Sequence, residues 1–224
     1  MAFSWTTFDK VVEHVLGELK PRSILDIGAG EGKYGKLVRA MGAPVKLVAV
    51  ECDGTLHEGL YAAGYDEVRA ITAQQLMDHP AETYDFVIMG DVIEHMKHSD
   101  GQDLLEFLNY RSAYILVITP ECMPMSTARF YEGHNSVWPP HAMQWHDWWA
   151  HARCQVMHFY LLRGYLDWQA VGLDDLVNSA NAAGLQLQPL DETTPVQCKL
   201  TLHDSRILEP VAQPAGHLKY FRPV

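Results

Sequence analysis

Along residues 4–19 the apolar side chains fall at Phe8, Val11, Val12, Val15 and Leu16, which predicts one face of a leading helix. That helix would cover the sheet edge or the mouth of a site. From residue 23 the pattern switches between short apolar runs and helical periodicity. It predicts strands at 23–28, 45–51, 67–71, 84–89 and 113–119, with helices at 32–41, 56–63, 73–78 and 101–109 between them. Alternation of this kind implies a parallel sheet with right-handed crossovers. Val45–Val50 and Tyr114–Ile118 are almost wholly apolar, as in strands covered on both faces.

Past Pro120 the pattern loosens. Residues 121–137 carry Met123, Met125, Arg129, Tyr131, His134, Asn135 and Ser136 and read as a long loop over the site. Five of the six tryptophans then crowd into 138–168. Val156–Leu162 reads as a late strand, 173–184 as a helix closed by Gly184, and 185–190 and 196–202 as added strands. We place a main domain at 1–166, with an aromatic-rich lid at about 121–150, and a C-terminal extension at 167–224 packed on the same domain. A competing parse takes 173–202 into the core and makes 138–166 an inserted lid.

Composition narrows the class of function. A chain of 224 residues with 48% hydrophobic and 20% charged content builds a full core. No apolar run approaches the ~20 residues that span a bilayer, and the first residues lack the pattern of a secretory leader. A net charge of −11, without a run of Lys or Arg, argues against nucleic acid and for a small-molecule substrate. Four dispersed cysteines fit reduced thiols and a cytoplasmic location. A homodimer stays open.

The chemistry concentrates where strands end. Residues 24–35 read Ile-Leu-Asp-Ile-Gly-Ala-Gly-Glu-Gly-Lys-Tyr-Gly, an apolar strand entering alternating glycines. Such a turn brings backbone close to a ligand and presents helix N–H groups to it. A dinucleotide fingerprint needs its third glycine at position 33, where Lys33 stands, so a strict match fails. Asp26 would repel a pyrophosphate and attract an ammonium. Glu51, at the end of the second strand and 21 residues beyond Gly30, lies where a carboxylate meets ribose hydroxyls.

Residues 22–38 resemble motif I of class I S-adenosylmethionine-dependent methyltransferases. Lys46–Asp53 and Tyr84–Met96, which contains Asp91-Val-Ile-Glu94-His95, resemble the family's later motifs in order and spacing. The resemblance covers roughly residues 20–166. It implies a Rossmann-like α/β fold with a mostly parallel seven-stranded sheet and helices on both faces. It also implies S-adenosylmethionine as cofactor, held by Asp26, Gly28, Ala29, Gly30, Glu51, Cys52, Ala73, Gly90 and Asp91. Thr72 stands where the family often has an acid for the adenine amine, which leaves adenine to backbone groups, an amide or a hydroxyl. His134-Asn-Ser-Val-Trp138 resembles an H-x-S-x-W element of some small-molecule methyltransferases.

Three residues are candidates for catalysis: His95, His134 and Asn135. An imidazole titrates near working pH and suits a general base. If 91–98 is helical, Asp91 and His95 share one face and Glu94 and His98 the next. No third ligand can be placed with such a pair, so no metal is expected. His141, His146 and His151 are five apart, ~140° per step on a helix, and read as unrelated. A tryptophan of the lid, or Tyr131, could face the sulfonium. Beside methyl transfer to a small molecule stand two rivals. One is attack on the aminocarboxypropyl chain with release of methylthioadenosine, as in azetidine-2-carboxylate synthases; the other is a partner protein that binds the cofactor without turnover.

Overall fold

A computed structural model describes residues 5–42, 44–79, 81–121, 133–167, 171–190, 194–211 and 220–223. The first helix, α1 (Asp9–Leu19), buries Val11, Val12, Val15, Leu16 and Leu19 on one face. Strand β1 (Ser23–Ile27) pairs in parallel with β2 (Lys46–Val50) and β4 (Tyr84–Gly90); β2 continues to β3 (Glu67–Arg69), and β4 to β5 (Ser112–Pro120). Every residue of β4 and β5 is buried, in keeping with their largely apolar sequences. Two core clusters lie on opposite faces of this sheet. One joins α1, α2 (Lys33–Ala40) and α5 (Leu173–Ala182); the other joins α4 (His98–Asn109), Trp138 and Met143. A short α3 (His57–Ala62) precedes β3.

The expected helix at 73–78 is a 3-10 turn, and α4 begins at His98 rather than at residue 101. The sheet has eight strands, not seven. A hairpin of β6 (Trp148–Cys154) and β7 (Met157–Arg163) lies antiparallel to β5 through β7. Beyond the small pair β8 (Gln186–Leu187) and β9 (Val196–Gln197), β10 (Thr201–Asp204) adds the eighth strand against β6. The final pair is β11 (Ile207–Val211) with β12 (Tyr220–Pro223). The strand order is β10-β6-β7-β5-β4-β1-β2-β3. Part of the stretch read as lid is therefore sheet: Trp148 and Trp149 belong to β6, where Trp149 stacks on His203 of β10 at 3.9 Å.

Registers align the carboxyl ends. Ile27 lies beside both Val50 and Met89, and Gly90 beside Ile118. Gly28, Glu51, Asp91 and Thr119 consequently emerge along one edge, where open α/β sheets bind ligands.

Candidate active site

The glycine turn is held to β2 by its own backbone: Gly28 N–H donates to Val50 O at 2.7 Å. Gly28 has φ +68°, and a Cβ there would stand 2.4 Å from Val92 Cγ2, so neither the conformation nor the space accepts a side chain. Ala29 and Gly30 are buried behind it. Asp26 is 1% exposed. Its Oδ2 accepts the hydroxyl of Tyr65, while Tyr65 Oη accepts Gly35 N–H at 2.9 Å. Burial pushes the Asp26 carboxyl up to about 7, against the opposing pull of the Tyr65 hydrogen bond. Tyr65 therefore links β1 to the start of α2, a role that nothing in the sequence signalled.

Glu51 ties the turn together. Its Oε2 accepts Gly30 N–H at 2.9 Å and its Oε1 accepts Asp53 N–H at 2.8 Å. His57 Nε2–H donates to the Glu51 carbonyl at 2.9 Å, so the strand end is fixed on both sides. Cys52 is exposed beside it. Ala73 precedes the 3-10 turn after β3, where Thr72 N–H donates to Gln75 Oε1 at 2.8 Å.

Gly90 ends β4 directly over Tyr34: a Cβ there would lie 2.4 Å from the ring. Asp91 follows with φ +57°, its N–H on Ile118 O at 2.8 Å. Its Oδ2 accepts Trp5 N–H at 3.2 Å. Lys33 donates to Trp5 O and pairs with Asp9 at 2.6 Å. The segment before α1 is thus strapped across the turn.

Next to Asp91 a second group assembles. Residues 93–95 form a 3-10 turn rather than a helix, so the expected pairing of Asp91 with His95 and Glu94 with His98 on shared helical faces does not hold. Chain 133–138 is instead stapled onto this turn. Asn135 and Ser136 N–H groups donate to Glu94 O at 2.7 and 3.1 Å, Asn135 Nδ2 to His95 O at 2.8 Å, and Trp138 Nε1 to Ile93 O at 3.2 Å. His134 is brought edge-on to His95, with ring centroids 5.1 Å apart. Because a carbonyl only accepts, the 3.1 Å contact of His95 Nδ1 with Gly133 O places the ring proton on Nδ1 and leaves Nε2 a lone pair. Burial holds both imidazoles below the usual histidine range. Glu94 is 1% exposed; Thr119 Oγ1 donates to its Oε2 at 2.9 Å, and burial with the nearby Asp91 charge pushes its carboxyl well above the usual carboxylate range.

Several other aromatic and histidine residues among those described make packing and hydrogen-bond contacts. Trp138 is fully buried and stacks on His98 at 4.2 Å. Tyr131, the other candidate to face a sulfonium, lies outside the described residues, as do Met123, Met125 and Arg129. His146 donates to Asn109 Oδ1 at 3.1 Å and accepts Trp148 N–H at 3.2 Å. His151 donates to His158, which donates to Glu121 at 3.0 Å, within the β6–β7 hairpin.

The sequence matches the family described as a methyltransferase domain over residues 7–176. The chain belongs to the class I S-adenosylmethionine-dependent methyltransferases. No curated protein matches this methyltransferase. Solved structures share its fold at low identity. An O-methyltransferase family protein from Burkholderia thailandensis superposes with a TM-score of 0.54 at 11% identity, covering 68% of this chain and 54% of that one. The plantazolicin methyltransferase BpumL, in complex with S-adenosylhomocysteine, gives 0.52 at 11% identity, covering 70% and 82%. The methyltransferase domain of bacterial CtHen1 gives 0.51 at 14% identity, covering 70% and 97%. The chain spans about half the length of the Burkholderia protein and of a putative O-methyltransferase from Nostoc punctiforme, at 54% and 55%.

S-adenosylmethionine is the cofactor of this methyltransferase family, and the residues present fit it. Gly28 and Gly90 leave no room for a Cβ and keep the backbone bare there, and the Glu51 carboxylate is anchored on the same edge, one strand beyond Gly28. Among the described residues, no helix of the methyltransferase is long and apolar enough to cross a membrane.

Proposed function

We propose that this protein methylates a hydroxyl of a small polar acceptor. Glu51 is assigned to the ribose, the Gly28–Gly30 backbone with Ala29 and Cys52 to the nucleoside side, Ala73 to the adenine, and Gly90 and Asp91 to the methionine portion. Asp26, through Tyr65, sets the loop and the local negative charge that favours an ammonium. When bound, the cofactor supplies a methyl group on a positively charged sulfur. The protein's share is to orient the acceptor and exclude water.

The observation that carries the reading is the Glu94–His95–His134 group beside Asp91. A neutral amine or a thiolate is already nucleophilic, whereas a hydroxyl needs help in losing its proton. That help is assigned to this group, in which the Nδ1–H of His95 is committed to Gly133 O and its Nε2 lone pair is left available. Asn135, bonded to the His95 carbonyl, holds the two segments in register. The net charge of −11 favours a small molecule over nucleic acid, and the four dispersed cysteines fit a cytoplasmic enzyme.

The family match favours methyl transfer over the two rival readings. Incubation with S-adenosylmethionine and fractionated metabolites, followed by mass spectrometry, tests it. S-adenosylhomocysteine together with an acceptor 14 Da heavier is expected, on the order of one methyl per turnover. Methylthioadenosine formed without any acceptor would overturn the proposal.

A further inference from the structure

We propose that Glu94, His95 and His134 bind a first-row divalent cation. One ligand atom from each residue lies within 4.8 Å of the others, although the chain brings them from two separate segments. Donor atoms sharing an ion at ~2.1 Å lie ~3–4 Å apart, so a small rotation of the half-buried His134 ring closes the set.

Three further features distinguish this group from a chance cluster. Glu94 is 1% exposed, and while Thr119 satisfies its Oε2, its Oε1 has no partner. A buried carboxylate oxygen left unpaired is costly, and a cation in contact with it removes that cost. His134 Nδ1 is likewise buried without a partner. The Nδ1–H of His95 is committed to Gly133 O, the outer-shell bond that directs an imidazole lone pair at a metal.

Two imidazoles and one carboxylate form a donor set for Zn²⁺, Fe²⁺ or Mn²⁺ rather than Ca²⁺. Three protein ligands leave positions open on the ion. Resting on the methyltransferase reading, the open positions take the acceptor hydroxyl, whose proton is released to solvent as its oxygen binds the cation. Activation then runs through the shared ion, and the histidines serve as its ligands. The sequence offered no third ligand because His134 lies 39 residues beyond His95. The hydrogen bonds from Asn135, Ser136 and Trp138 close that distance.

The test is titration of the metal-stripped full chain with Co²⁺ alone, followed by visible absorption, with S-adenosylhomocysteine binding measured separately. One equivalent with d–d bands is expected. Its affinity should fall by about 100-fold or more in His134→Ala and in Glu94→Gln, and stay unchanged in His79→Ala, an exposed histidine outside the group. His134→Ala changes a half-exposed side chain, so it remains decisive if Glu94→Gln fails to fold. Absence of Co²⁺ binding, or a spectrum that survives His134→Ala, overturns the cation site. Failure of the wild type to bind S-adenosylhomocysteine overturns the methyltransferase reading instead, and leaves the Co²⁺ result to stand by itself.

Discussion

Replacing Tyr65 by Phe removes one oxygen and breaks two bonds. Asp26 loses its phenolic donor, and Gly35 N–H loses its acceptor, all in a buried setting. The pH dependence follows from Asp26, whose carboxyl is raised by burial from 3.8 to about 7. A raised folded value means that the native state holds the proton more tightly. That contribution is complete below about pH 4 and is lost as pH rises through about 7, ~4 kcal/mol in all. At about pH 8 the variant loses a hydrogen bond to a charged group, ~1.5–3 kcal/mol, and strands an N–H, ~1–3 kcal/mol. At about pH 5.5 the carboxyl is protonated and the first loss shrinks to ~1 kcal/mol. Urea unfolding at both pH values should therefore show a penalty ~0.5–2 kcal/mol larger at the higher one. Equal losses at the two pH values, or a loss under ~1 kcal/mol at pH 8, would refute the proposed link between Tyr65 and a buried carboxylate.

Glu51→Ala should weaken S-adenosylhomocysteine by ~10–100-fold in calorimetry, since the acceptor of Gly30 and Asp53 N–H groups is lost; wild-type affinity would contradict the ribose assignment. Lys33→Ala should cost under ~1 kcal/mol of stability, because its pair with Asp9 is partly solvated. The same change frees the strap, so stopped-flow dissociation of S-adenosylhomocysteine should become several-fold faster, and an unchanged rate would argue against a covering role. Gly90→Ala drives a methyl group to 2.4 Å from Tyr34 and should cost ~1–3 kcal/mol in thermal unfolding. Adding Tyr34→Leu should recover part of that loss, and full additivity would show that the clash is not the cause.

Much of the sheet could be read directly. β1, β2, β4 and β5 are apolar runs that stop at a glycine or an acid, so burial on both faces and the functional edge are written locally. Glu51 and Asp91 fall on that edge, and Asp26 two residues before Gly28 just beneath it, because strand length fixes where a strand ends. β6 escaped because Trp-Trp-Ala-His-Ala-Arg-Cys mixes bulky and charged residues, as suits a strand whose outward positions His151 and Arg153 make polar contacts. Tyr65 and Thr119 escaped for another reason: they meet Asp26 and Glu94 across 39 and 25 residues, and no periodicity encodes such a pairing. The same holds for His134, which the sequence named but could not bring to its neighbours.

The first helix and a segment from the last third of the chain meet behind the strap. His14 on α1 bonds to Ser179 on α5 at 3.0 Å, and Gln188 N–H donates to Thr7 O at 3.2 Å. The residues over the glycine turn are therefore braced by the last third of the polypeptide, remote from any cofactor contact. Substitutions there can change how long a spent cofactor stays bound while leaving its affinity determinants intact. Exchange rate and recognition become separately adjustable traits, carried by different stretches of one gene.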